Sequence, residues 1–97
     1  MPKGYWIAHV EIDDPDTYVN YVEGAKAAFD KWQPKFLARG GAYEEVEGAL
    51  GRSRHVVLEF DSLAAAKACY HSPEYRAAKA HRTPVSTATI VLVEGLD

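Results

Sequence analysis

The sequence predicts an α+β fold in which one four-stranded antiparallel sheet carries its helices on a single side. Three observations lead there. Two stretches, Gly4 to Ile12 and Arg54 to Phe60, alternate with the two-residue period of a strand, and each has a wholly apolar face. Each is followed directly by helix-capping residues. The order that results is strand, helix, strand, strand, helix, strand. This is the split βαβ, or ferredoxin-like, arrangement, whose two right-handed crossovers bring both helices to one face of the sheet.

In the first strand Trp6, Ala8, Val10 and Ile12 share one face, and Tyr5, Ile7, His9 and Glu11 share the other. Asp13-Asp14-Pro15-Asp16 then combines a cap, a proline suited to the first helical position and acid near the positive end of the helix dipole. The helix holds Tyr18, Tyr21, Val22, Ala25, Ala28, Phe29 and Trp32 on one stripe, leaving Asn20, Glu23, Lys26 and Lys31 outside it. Pro34 ends it at Gln33 or just before. Lys35 to Arg39 is a short second strand, broken at Gly40-Gly41 by a turn or bulge. Pairing is expected to resume over Tyr43 to Val46 before a loop, Glu47 to Gly51, completes a hairpin with a long tip. In the third strand Val56, Leu58 and Phe60 oppose His55, Val57 and Glu59. Asp61 and Ser62 cap a helix from Leu63 to Tyr70, and Ser72-Pro73-Glu74 restarts it from Glu74 to about His81, where Pro84 stops it. The last strand, Thr87 to Val93, is apolar on both faces for most of its length, so both need covering.

The 97 residues suit a single domain, 1–97, that buries only about two-thirds of its unfolded surface, a size at which a partner subunit adds useful stability. With 47% apolar and 26% charged residues the composition is that of a globular chain and not of a disordered one. Eleven basic and fourteen acidic residues leave a formal charge of −3, which gives no overall attraction for nucleic acid or anionic membranes. A single cysteine, Cys69, excludes an intramolecular disulfide and a thiolate cluster, which suits a reducing cytoplasm. The four histidines lack the i, i+4 spacing of a helical zinc site, so neither a metal nor a cofactor is expected. His9 and Glu11 interrupt any signal-peptide core, and no apolar run reaches the roughly twenty residues of a membrane span. The ferredoxin-like order is shared by RNA-recognition modules. Here, however, RHVVLEF lacks their glycine and paired aromatics and puts Glu59 where phosphate would lie.

With helices on one side, the opposite sheet face, carrying Tyr5, Ile7, His9, Leu37 or Phe36, Val57 and the apolar last strand, stands uncovered in a monomer. That pattern predicts a symmetric homodimer with the two sheets facing each other. Four segments, KGYWIAHVEIDDPDTYVNYV, FLARGG, RHVVLEF and YHSPEY, together resemble the domain-of-unknown-function 1330 family over nearly the whole chain. That family is similar to the dimeric α+β barrel superfamily, which also holds small monooxygenases and muconolactone isomerase-like proteins. The resemblance implies a dimer and a pocket between each sheet and its helices. For some relatives it implies cofactor-free or flavin-free chemistry on small carbon compounds.

The polar residues that break apolar strands are the functional candidates. His9 and Glu59 have the chemistry of an acid/base pair, His55 lies on the same face, and Arg39 offers a planar fork to a substrate carboxylate. Tyr70, His71 and Tyr75, where the second helix breaks, are candidates to line a substrate pocket. The competing structural roles are interface hydrogen bonds and salt bridges for the sheet residues, and aromatic packing for the helix junction. Two functions follow. One is a small cytoplasmic cofactor-independent monooxygenase or isomerase acting on a carbonyl or carboxylate compound; the other is a noncatalytic homodimer that binds a small molecule or simply assembles.

Overall fold

The computed structural model describes residues 2–96. Strand β1, Gly4–Ile12, is followed by helix α1, Pro15–Trp32, strands β2, Lys35–Arg39, and β3, Arg54–Phe60, helices α2, Leu63–Tyr70, and α3, Pro73–Arg82, and strand β4, Ser86–Glu94. The sheet is antiparallel in the order β2-β3-β1-β4. Its thinnest dimension is only 17 Å, the depth of two layers, so the helices cover one sheet face and leave the other bare.

Local chemistry fixes the element boundaries. The Asp14 carboxylate accepts from the Thr17 amide at 3.2 Å and from its hydroxyl at 2.7 Å, while Pro15 opens α1. The Thr17 hydroxyl bond first, and then the Thr17 amide bond, hold the Asp14 pKa below its ordinary value. At the other end Gln33 turns left-handed at φ 49° ahead of Pro34 and donates its amide to the Phe29 carbonyl. Ser62 and Ser72 cap α2 and α3 through their hydroxyls. Pro84 sits in a single 3-10 turn, Thr83–Val85, and β4 begins one residue earlier than the apolar pattern suggests.

The core gathers on Trp6, which is 2% exposed. Its ring meets those of Phe29, Phe60, Tyr70 and Tyr75 at centroid distances between 4.9 and 6.0 Å. Truncation of such a side chain typically costs about 3–5 kcal/mol. Gly24 lets α1 and α3 approach closely, because a Cβ there would stand 3.2 Å from that of Ala78.

Two expectations are corrected. Tyr43 to Val46 does not pair; residues 40–53 leave the sheet as a largely exposed loop, tied down by the Glu45 carboxylate on the Leu50 amide. In β2 the register slips between Phe36 and Ala38: Phe36 lies opposite Leu58, Ala38 opposite Val57 and Arg39 opposite Val56. The bulge at Leu37 therefore turns both Phe36 and Arg39 toward the helices. Phe36 packs edge-on against Phe29, away from the bare face, and the Arg39 guanidinium lies 4.4 Å over the Phe36 ring.

Candidate functional site

Between the sheet and helices α1 and α3 lies a cavity of about 190 Å³. Its floor is Trp6, Ala8, Val10, Val56, Leu58 and Ile90, and its roof is the apolar stripe of α1. For scale, a cavity of roughly 150 Å³ with apolar walls accepts a benzene ring. Three arginines border it: Arg39 from β2, Arg54 from the start of β3 and Arg82 from the end of α3. Counting Lys26 and Asp30 at the edge, four basic side chains face one carboxylate.

Arg82 is the unusual member. It is only 6% exposed, and its Nε is buried with no hydrogen-bond partner among the described residues. The Nε of Arg54 is in the same condition. The ion pairs among the described residues are Lys3 with Asp61, Lys26 with Glu23 and Lys31 with Glu74, so none of the three arginines has a carboxylate. A buried charge without a counter-ion is costly, and such a group is normally paired or bound to a ligand. Gly40 shapes the rim: its φ is +67°, and a Cβ there would stand 2.5 Å from Arg54 Nη1.

The phenols supply hydrogen bonding. Tyr21 and Tyr75 share a bond of 2.8 Å between their hydroxyls, and Arg82 lies 5.5 Å over the Tyr21 ring. Burial raises the pKa of both phenols, most strongly for Tyr21, whose partner Tyr75 adds to the effect while the Arg82 charge opposes it. Burial also raises Tyr18, against the charges of Arg54, Arg82 and Arg39, which all act on that one hydroxyl. Near neutral pH the pocket therefore offers neutral phenol donors beside fixed positive charge.

The residues singled out in the sequence divide between two faces. Arg39 borders the cavity. His9, His55 and Glu59 stand on the bare face, where His9 Nδ1 and His55 Nδ1 are 2.8 Å apart, within hydrogen-bond distance. The Tyr43 ring, from the exposed loop, meets that of His55 at 4.4 Å. Glu59 lies four residues from His55, about 13 Å along the strand, and accepts instead from the Tyr5 hydroxyl at 3.3 Å. The structure thus joins His9 to His55 and not to Glu59. Tyr75 is fully buried and enters the site through Tyr21. Tyr70 packs on Trp6 and borders a second recess with Lys79, Arg82 and Thr87, while His71 is exposed at the helix junction. Burial, followed by the Glu74 carboxylate, pushes the Cys69 thiol up to about 12, the mark of an inert thiol.

Tyr18, Tyr21, Arg54 and Arg82 were missed as site residues, though their positions were in the pattern. Arg54 continues the Val56, Leu58, Phe60 alternation backwards onto the helix side. Arg82 follows Tyr75 and Ala78 at i+7 and i+4 on the buried stripe of α3, where a basic residue reads as dipole compensation.

Residues 3–96 match the sequence profile of the domain of unknown function DUF1330. The chain belongs to this family. Among solved structures, a protein of unknown function from Rhodopseudomonas palustris superposes with a TM-score of 0.74 at 18% identity, covering 99% of this chain and 84% of its own. SnoaB, a cofactor-independent oxygenase from Streptomyces nogalater, gives 0.69 at 12% identity, covering 100% and 96%. A dimeric ferredoxin-like protein of unknown function from Jannaschia sp. CCS1 gives 0.67 at 16%, covering 95% and 98%. At these identities the likeness is one of fold. No curated protein matches the sequence. Among the described residues no helix is long and apolar enough to cross a membrane, and no group of three metal-ligating side chains converges.

Proposed function

We propose that this DUF1330 member is a cytoplasmic homodimer that binds a small organic carboxylate in the cavity between its sheet and helices. The observation that carries this is Arg82, a 6%-exposed guanidinium at an aromatic-walled cavity with no carboxylate to neutralise it. A ligand anion would satisfy both the charge and the orphaned Nε, while its apolar body would fill the space beneath α1. The dimer is supported by the bare face. There Ile7, Val57, Val91 and Val93 form an apolar patch around the His9–His55 pair, and Val91 and Val93 are 50% and 43% exposed. On this reading His9, His55 and Glu59 serve the subunit contact.

Titration calorimetry with benzoate tests the pocket. Wild type should bind, and Arg82→Gln should weaken binding by at least about tenfold, the loss of one charge-assisted bond. Equal affinity in the two proteins would remove Arg82 from the site. A catalytic version of this reading, cofactor-independent oxygenation or isomerisation of a carbonyl compound, is favoured by the Tyr21–Tyr75 pair. A neutral buried phenol beside a guanidinium is suited to stabilise an oxyanion formed on the ligand.

A further inference from the structure

The positive charge around the cavity exceeds what one carboxylate would neutralise, and it comes from elements on the two sides of β1. Arg39 and Arg54 project from the neighbouring strands β2 and β3. Arg82 projects from the end of α3 on the β4 side, where it also borders the recess formed with Thr87 and Ala88. Strand β1 lies between β3 and β4, so those two strands are two strand spacings apart, about 9–10 Å. Tyr18, 7% exposed, lines the cavity with all three arginines.

From this division we infer that the natural ligand is a small dicarboxylate, with one carboxylate on Arg82 and the Tyr21 hydroxyl and the second between Arg39 and Arg54 at the rim. The inference rests on the carboxylate-binding reading and adds the number and placement of the charges. A single-ring or similarly compact body between the two groups suits the cavity of about 190 Å³. Gly40 has a specific part here. Its missing Cβ leaves room for the Arg54 guanidinium at the rim, where a larger residue would displace it.

The test compares benzoate, 1,3-benzenedicarboxylate and phenyl phosphate by calorimetry at one fixed salt concentration. The dicarboxylate is expected to bind at least about tenfold more tightly than benzoate, because it gains a second charge-assisted contact. In Arg54→Gln the ratio of the two affinities should fall to within about twofold, as double-mutant logic requires. Arg39→Gln, at an exposed rim position, gives the same comparison should the first variant fold poorly. A dicarboxylate that binds no more tightly than benzoate overturns the two-charge inference while leaving the pocket in place. Phenyl phosphate matching or exceeding the dicarboxylate also overturns it, because both charges would then sit on one group. No binding of any of the three overturns the carboxylate reading as well.

Discussion

Replacing Arg82 with methionine should stabilise the ligand-free protein while weakening its response to carboxylates. Methionine keeps the length of the side chain and its apolar stem but removes a charge that is 6% exposed and lacks a carboxylate partner among the described residues. Burying an ion costs several kcal/mol, of which the α3 C-terminal dipole and the Tyr21 ring at 5.5 Å return a part. The unreturned remainder is about 1–2 kcal/mol. In a domain of this size each kcal/mol moves Tm by roughly 4–8 °C, so the variant should melt about 4–16 °C higher. Calorimetric melting without ligand measures the first effect. Repeating it with benzoate in large excess measures the second, since ligand at a hundredfold the wild-type Kd adds about 2.7 kcal/mol to wild type and, after a loss of at least about tenfold in affinity, about 1.4 kcal/mol or less to the variant. A variant that melts several degrees lower, with unchanged circular dichroism, would refute the reasoning, because Arg82 would then be held by contacts that satisfy its charge.

Two further outcomes follow from burial and from the bare face. The raised phenols of Tyr18, Tyr21 and Tyr75 keep their protons in the native state when the unfolded chain has begun to lose them. Stability should therefore be unaffected by these groups below about pH 10 and fall as pH rises beyond it. Phenolate absorbance should show Tyr18, Tyr21 and Tyr75 ionising at higher pH in the folded protein than in the unfolded chain, and ionisation of these three at the unfolded pKa would contradict this. Val91→Glu, on the edge strand at a half-exposed position, should leave the monomer fold intact but place two like charges in the subunit contact by symmetry. Sedimentation should report a dimer for wild type and a monomer for the variant, and a dimeric variant would move the contact elsewhere.

The layout of the fold could be read in the sequence because its signals are local. The alternation of Trp6, Ala8 and Val10, the caps at Asp14, Ser62 and Ser72, and the prolines at 15 and 73 are decided within a few residues of each other. The site was less legible, because Arg39 depends on a register that no local rule sets. KFLAR is apolar on both faces at its centre, and strict alternation puts Arg39 on the side of His9 and Glu59. Only the bulge at Leu37 carries it to the helices. Similarly, alternation places His9, His55 and Glu59 on one face, but their pairing depends on the β1–β3 register, which sets His9 opposite His55 and Tyr5 opposite Glu59.

That separation of faces explains why the anion site belongs where it does. In this two-layer α+β chain one sheet face is covered by the helices and the other is bare, and among the described residues the enclosed cavity lies beneath the helices. The chain as a whole is acidic, at −3, yet among the described residues Asp30 is the one carboxylate that borders that space, and Asp13, Asp14 and Asp16 are all exposed around the start of α1. At the C-terminus of α3 the helix dipole presents about half a negative charge to Arg82, enough to tolerate the guanidinium but not to neutralise it. A full carboxylate at this point would satisfy Arg82 permanently and leave the pocket without a charge to recognise. The half-neutralised arginine instead keeps a net positive field inside aromatic walls, where low polarity strengthens its attraction for an incoming anion.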